Sequence, residues 1–367
     1  MSYQILARKY RPQKFEDVVG QESVTRTLTN AVGKERLASA YLFCGPRGVG
    51  KTSVARIVAK VVNCENPSEQ NPCGKCVSCL EVTGGNSIDV LEIDGASNNG
   101  VDEIRALREN VKFSPSKGKY KVYIIDEIHM LSTGAFNALL KTLEEPPSHA
   151  IFILATTEIH KMIPTIISRC QRFDFRRLTL EEIVKRLNIL AEKEKVKVDK
   201  TALELIALNS GGAFRDAEGL LGQAISFCGQ DKEITAEEIK DLLGLVEVGL
   251  VSQFCDFLSQ KKAAEAIKFI NEITEKGSDL QEFTKSLINY LRQGLILKIM
   301  GLESANPIIT GLTKEELEKL QKQASSLQEH EIRRMIELFL DAENKMRYSS
   351  ILQLPLELAV IESCQLA

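Results

Sequence analysis

One octapeptide constrains this chain of 367 residues more than any other feature. Gly45-Pro46-Arg47-Gly48-Val49-Gly50-Lys51-Thr52 fits G-x-x-x-x-G-K-[ST], a loop that requires a strand before it and a helix after it. Both are legible. Ala40-Tyr41-Leu42-Phe43-Cys44 is a β-rich apolar run, and beyond Ser53 the residues Val54, Val58, Val61 and Val62 recur on one helical face. In that setting the loop N–H groups and the helix N-terminus cradle phosphates. Lys51 then reaches the β and γ phosphates, and the Thr52 hydroxyl binds Mg²⁺. The alternative is a Gly-rich turn carrying an exposed lysine.

A second segment completes the pattern. Lys121-Val122-Tyr123-Ile124-Ile125 is an apolar strand that ends in Asp126-Glu127, at the same sheet edge as the loop. Asp126 is expected to hold Mg²⁺ and Glu127 to orient and polarise the attacking water. Further runs at Ile88–Ile93, Ile151–Ala155 and Arg172–Phe175 alternate with amphipathic segments. Nearly continuous β-branched runs suit strands buried on both faces, which predicts a parallel α/β sheet with its ligand at the carboxyl ends.

After Leu178 the strand signal stops. Thr179-Leu180-Glu181-Glu182 has the capping-box pattern, and Gly211-Gly212 marks a helix junction. The expected organisation is a nucleotide-binding domain over 1–178, a helical lid over 179–243 and an all-helical domain over 244–367. With 44% apolar and 26% charged residues, the chain is excluded from the disordered, collagenous and coiled-coil classes. Its 47 basic and 50 acidic residues leave a net charge of −3, no nucleic-acid signature in itself. No run of 18 apolar residues and no apolar leader after Met1 is present, so a cytoplasmic protein without membrane contact is expected.

Cysteines in that compartment are reduced, so nine of them need another explanation than disulfides. Cys64, Cys73, Cys76 and Cys79 fall within 16 residues, beside Pro67, Pro72 and Gly74. Four thiolates in an irregular loop predict a closed, structural Zn²⁺ site; an iron–sulfur cluster and unligated thiols are the alternatives. Cys44, Cys170, Cys228, Cys255 and Cys364 are isolated and expected in the core.

Taken in order, these motifs resemble the gamma/tau motor subunits of the bacterial DNA polymerase III clamp loader, in the AAA+ superfamily. The likeness begins at Tyr3-Gln4-Ile5-Leu6-Ala7-Arg8-Lys9-Tyr10-Arg11-Pro12 and Asp17-Val18-Val19-Gly20-Gln21. It runs through the phosphate loop, the four cysteines and Ile125-Asp126-Glu127-Ile128-His129-Met130-Leu131. Asn137-Ala138-Leu139-Leu140-Lys141-Thr142-Leu143-Glu144-Glu145-Pro146-Pro147, Leu154-Ala155-Thr156-Thr157 and Ser168-Arg169-Cys170 follow.

The resemblance implies ATP as substrate with Mg²⁺. It implies Thr157 as sensor 1, Arg169 as an arginine finger supplied to the neighbouring subunit's ATP, and Arg215 as sensor 2. A surface ion pair is the alternative for Arg169, and a helix cap or ion pair for Arg215. It also implies an adenine pocket at Ala7, Tyr10, Arg11, Pro12, Val18 and Val19, closed by Leu178; plain core is the alternative. The implied activity is ATP hydrolysis that loads a sliding clamp onto primer-template DNA during replication, with no polymerase active site in this chain. Implied partners are delta- and delta-prime-type subunits and further copies of the chain in a pentameric ring. The segment Ile93–Val101 and Arg105 would face the DNA, diluted by Asp102 and Glu103; Lys112, Lys117, Lys119 and Lys121 read as a solvated loop. A branch-migration motor would need a DNA-binding domain after the lid, and a non-hydrolysing stator a degraded phosphate loop.

Overall fold

The computed structural model describes residues 5–68, 70–229, 233–243, 248–305, 309 and 314–365. Tyr3 and Gln4, which open the first motif above, and residues 244–247, at the expected start of the third domain, lie outside them. The chain divides into two compact units, Met1–Thr235 and Ala236–Ala367.

In the first unit, helices α1 (Leu6–Lys9) and α2 (Glu22–Gly33) precede strand β1 (Ala40–Cys44) and α3 (Lys51–Val62). Then come α4 (Val77–Gly84), β2 (Val90–Asp94), α5 (Val101–Val111), β3 (Lys121–Asp126), α6 (Thr133–Glu144), β4 (Ala150–Thr156), α7 (Pro164–Ile167) and β5 (Gln171–Asp174). The five strands pair in the order β2-β3-β4-β1-β5, every neighbour parallel. Period-two alternation sorts their side chains. Tyr41 and Phe43 face a core with Val54, Ile57 and Val58 of α3. Leu42, Tyr123 and Phe152 face the opposite core, under α5 and α6. Burying each of these large side chains contributes roughly 1.5–3 kcal/mol.

Burial on both faces holds only for the three inner strands. The edge strands are half exposed, since β2 has no fully buried residue and β5 buries only Phe173. Strand β2 also starts later than its apolar run suggests. Ile88 is exposed, and the Asp89 carboxylate instead accepts the backbone N–H groups of Ser116, Lys117 and Gly118 at 2.6, 2.7 and 2.8 Å. The basic stretch is not uniformly solvated either, because Lys121 is buried and its Nζ donates to the Asn110 carbonyl. Of the five isolated cysteines only Cys44 and Cys255 are buried; Cys170, Cys228 and Cys364 are half-buried, at element ends.

Helices α8 (Leu180–Glu194), α9 (Lys200–Asn209) and α10 (Phe214–Cys228) finish the unit. The capping box forms as read: Thr179 Oγ1 accepts the Glu182 N–H at 3.3 Å, and Glu182 Oε2 accepts the Thr179 N–H at 2.9 Å. Gly211 and Gly212, at φ 57° and 82°, join α9 to α10.

The second unit is helical: α11 (Ala236–Leu243), α12 (Val248–Ser259), α13 (Ala263–Glu275), α14 (Leu280–Ala305, broken at Gly301), α15 (Lys314–Ser326), α16 (Glu329–Met346) and α17 (Leu354–Gln365). Its core gathers Phe254, Phe269, Phe283 and Phe339, with the Phe254 and Phe283 rings edge to face at 5.1 Å. A buried polar cluster on α12, α14 and α15 is paired, as burial favours. Tyr290 donates to Gln323 Oε1 at 2.7 Å, and Gln323 Nε2 donates to the Ser252 carbonyl at 2.9 Å. Among the described residues no single helix is long and apolar enough to cross a membrane.

Candidate functional site

Register aligns the carboxyl ends of the strands. Cys44 lies opposite Thr156 and Asp174, and Asp94 opposite Asp126, so the turns after β1, β3 and β4 open at one edge. The phosphate loop leaves β1 there. Gly45, Gly48 and Gly50 have φ of 151°, 77° and 105°, conformations that side chains disfavour. A Cβ on Gly45 would stand 2.4 Å from the carbonyl oxygen of Phe175, so the residue just past β5 closes one wall on bare backbone.

Lys51, 5% exposed, donates to the carbonyls of Gly45 and Pro46 at 2.7 and 2.8 Å. Burial pushes its ammonium toward deprotonation, and Asp126 and Glu127 oppose that. Thr52 Oγ1 donates to Asp126 Oδ2 at 2.6 Å, joining the loop to β3. Ser53 is half-buried in the first turn of α3, and Val49 packs into the core. A cleft of about 490 Å³ lies in front, lined among others by Gly45, Pro46, Arg47, Glu127, Thr157 and Arg177.

Glu127 is held in the left-handed region, at φ 46°, where a non-glycine residue carries strain. Its Oε2 accepts the Thr157 hydroxyl at 2.9 Å and the Thr157 N–H at 3.2 Å. His129, not singled out from sequence, completes this corner. Its buried ring places Nδ1 3.0 Å from Thr156 Oγ1 and 3.4 Å from Glu127 Oε2. The available signal was position: one of only four histidines in the chain, two residues past the paired carboxylates.

The segment before the loop meets the hinge. Leu178 is buried with its N–H on the Gly212 carbonyl, and a Cβ on Gly20 would overlap its Cδ2 at 2.2 Å. Val18, Val19, Ala7, Pro12 and Arg11 are half-buried. The Tyr10 ring lies between the Lys9 and Lys193 ammoniums, at 5.2 and 5.6 Å. Burial, with Arg56 and Arg215 nearby, lowers the Arg11 pKa. Arg215, in the first turn of α10, has its N–H 3.4 Å from the Gly48 carbonyl, so the helical segment reaches the phosphate loop.

Arg169 is on a different surface. Its Nη2 pairs with Glu144 Oε1 at 2.7 Å, its Nη1 donates to the Thr165 carbonyl, and it does not line the cleft. Arg105 is exposed and pairs with Asp102 at 2.9 Å.

The four clustered cysteines converge, with their Sγ atoms all within 4.8 Å of one another. Zn–S bonds near 2.3 Å in a tetrahedron require S···S separations of about 3.8 Å, so the set fits one ion. Backbone N–H groups of Lys75 and Cys76 point at Cys73 Sγ and bring its thiol down to about 6, whereas burial pushes the Cys64 and Cys79 thiols up.

A parallel sheet of this order, with a phosphate loop after the inner strand β1, paired carboxylates at the end of β3 and a hydroxyl after β4, is the P-loop fold of the AAA+ class. Family models subdivide it further. "DNA polymerase III, delta subunit" matches residues 20–179, "DNA polymerase III clamp loader subunit, ATPase lid domain" 182–230, and "DNA polymerase III subunits gamma and tau domain III" 234–367. The chain is 47% identical to DNA polymerase III subunit tau of Bacillus subtilis, over 100% of this chain and 64% of that one. It is 41% identical to tau of Escherichia coli over 80% and 45%. It is 34% identical to subunit gamma of Buchnera aphidicola over 98% of both. The chain belongs to the gamma/tau family of DNA polymerase III subunits, and it spans about two-thirds or less of the tau relatives' length. Among solved structures it is similar to the Thermotoga maritima RuvB Holliday junction branch migration motor (20% identity, TM-score 0.48, 70% of this chain and 80% of that one). A Bacillus subtilis clamp loader delta protein matches at 15% identity and TM-score 0.39, over 93% and 99%.

Proposed function

We propose that this chain is an ATP-driven motor subunit of the DNA polymerase III clamp loader, which hydrolyses ATP to place a sliding clamp on primed DNA. The observation that carries the reading is the joined pair of Thr52 and Asp126 beside Glu127, at the mouth of an intact phosphate loop.

ATP phosphates replace the Gly45 and Pro46 carbonyls as partners of Lys51, whose buried ammonium then neutralises them in a weakly screened site. Thr52 and Asp126 would hold Mg²⁺, which supplies charge neutralisation between the phosphates. Glu127, released from Thr157, orients and polarises water in line with the γ-phosphate; Thr157 senses that phosphate. Arg215 draws the lid onto it. The base lies against Ala7, Tyr10, Arg11, Pro12, Val18, Val19 and Leu178, supported by the close approach of Gly20 to Leu178.

Arg169 acts in trans. Its position outside its own cleft supports this, and the Glu144 pair is the resting partner it leaves on assembly. Cys64, Cys73, Cys76 and Cys79 hold one Zn²⁺ that supplies cross-linking alone. Three domains near 1–178, 179–243 and 244–367 carry these parts; the matched family segments favour a last boundary nearer 234. The helical third domain joins delta- and delta-prime-type subunits and further copies in a five-membered ring. An exposed apolar stripe on α17 at Leu354, Leu358 and Ile361 supports such contacts. Sliding clamp and primer-template DNA engage the assembled ring in the cytoplasm.

The test is nucleotide binding and clamp loading by Lys51→Ala. Both are expected to be lost, and loading at the wild-type level would remove the motor assignment.

A further inference from the structure

The cysteine loop grips the chain segment that leads to the base pocket. Asn71, 6% exposed, lies inside this loop between Cys64 and Cys73. Its Oδ1 accepts the Phe15 N–H at 2.9 Å, and its Nδ2 donates to Glu16 Oε1 at 3.0 Å. Mutual backbone bonds between Ser68 and Asn71 set its position. A second anchor lies one residue pair upstream. Gln13 Oε1 accepts the ammonium of Lys60, a residue 3% exposed in the last turn of the phosphate-loop helix α3. The same oxygen is 3.4 Å from Thr83 Oγ1, which is itself bonded to the carbonyl of Cys79 at 2.7 Å. Gln13 Nε2 in turn donates to the Arg11 carbonyl at 2.7 Å.

The Asn71 anchor begins in the cysteine module and ends on Phe15 and Glu16, whereas the Gln13 anchor ties residues 11–13 to α3 and approaches the module only at Thr83 of α4. Arg11 and Pro12 lie at one end of the gripped stretch, and Val18 and Val19 at the other.

We infer that the cysteine module is a brace for base recognition: Asn71 and Gln13 are positioning residues, and metal bound by the four cysteines governs how tightly the base end of ATP is held. The inference rests on the base pocket assigned above. Its physical ground is that a loop with two prolines and, among its described residues, no helix or strand beyond the short α4 has no packed core of its own. The ion fixes it, and whatever it holds inherits that order. Coupling of this kind is reciprocal, so ATP also strengthens metal retention. Lys51 and Thr52 take their own contacts apart from the brace, on the Gly45 and Pro46 carbonyls and on Asp126.

The discriminating comparison is ATP against inorganic tripolyphosphate, which occupies the phosphate loop and lacks a base. Dissociation constants are measured by competition on the full chain, together with zinc content. Asn71→Ala and Gln13→Ala are expected to keep about one zinc per chain, bind ATP about ten-fold more weakly, and bind tripolyphosphate as wild type does. Wild-type chain stripped by a chelator is expected to show the same selective loss, reversed by added Zn²⁺. Stripped chain that binds ATP as tightly as the zinc form overturns the inference, as does an equal loss of ATP and tripolyphosphate affinity. Zinc-replete wild-type chain that binds no ATP would instead remove the functional reading beneath it.

Discussion

Glu218 lies on α10, one turn beyond Arg215, and is 4% exposed. Among the described residues its Oε1 has no hydrogen-bond partner, and neither has the buried Nε of Arg186 nearby. Burial pushes its carboxyl from 4.5 up to about 7, opposed by Arg186 and Arg11. The sign follows from proton counting. Between pH 4.5 and about pH 7 the folded chain keeps a proton that the unfolded chain has lost, so stability falls as pH rises through that window and levels off above it. Each pH unit between the two values is worth about 1.4 kcal/mol, so the full loss is about 3 kcal/mol. Glu218→Gln removes the titration and retains nearly the same shape. Thermal or denaturant unfolding at pH 5.5 and pH 8 should show the variant gaining about 2 kcal/mol on wild type between the two, from the same arithmetic. Comparing differences across pH cancels the packing cost of the amide and all titrations common to both chains. If the two chains show parallel pH profiles, Glu218 is not a buried acid held neutral by its surroundings.

The other expectations are local. Lys51→Ala should lose nucleotide binding, read directly by equilibrium titration, while the fold persists. Arg169→Ala should leave the affinity of the isolated chain for ATP intact and lower turnover of the assembled ring by about 10³-fold or more, the scale of an arginine finger; unchanged ring turnover would make Arg169 a surface ion pair with Glu144 and nothing more. Metal analysis should return about one zinc per chain, and chelation should expose the four thiols to titration with a thiol reagent.

What could be read from sequence was local, and the reasons are visible in particular residues. Strand β1, the phosphate loop and the Thr179 capping box are each encoded within a few consecutive positions, and each forms where the pattern places it. The start of β2 was misread because Ile88 is apolar and β-branched like its neighbours, yet Asp89 spends its carboxylate on a turn nearly thirty residues away. The exposure of β2 and β5 depends on strand order, which no single run specifies. His129 escaped notice for the same reason: it matters through Thr156 and Glu127, which the fold brings together from separate strand ends. The clustering of the four cysteines was legible in their spacing, but the grip of Asn71 on Phe15 and Glu16 spans more than fifty residues and has no signature in spacing.

The central claim is that Glu127, poised beside Thr157 at the end of β3, activates water for attack on ATP held by Lys51, Thr52 and Asp126. The most direct test is steady-state ATP turnover by Glu127→Gln in the ring assembled with its partner subunits, alongside its ATP dissociation constant. The account predicts wild-type binding with turnover lower by roughly 10²–10⁴-fold, the range of a lost general base. Undiminished turnover at normal binding would contradict it.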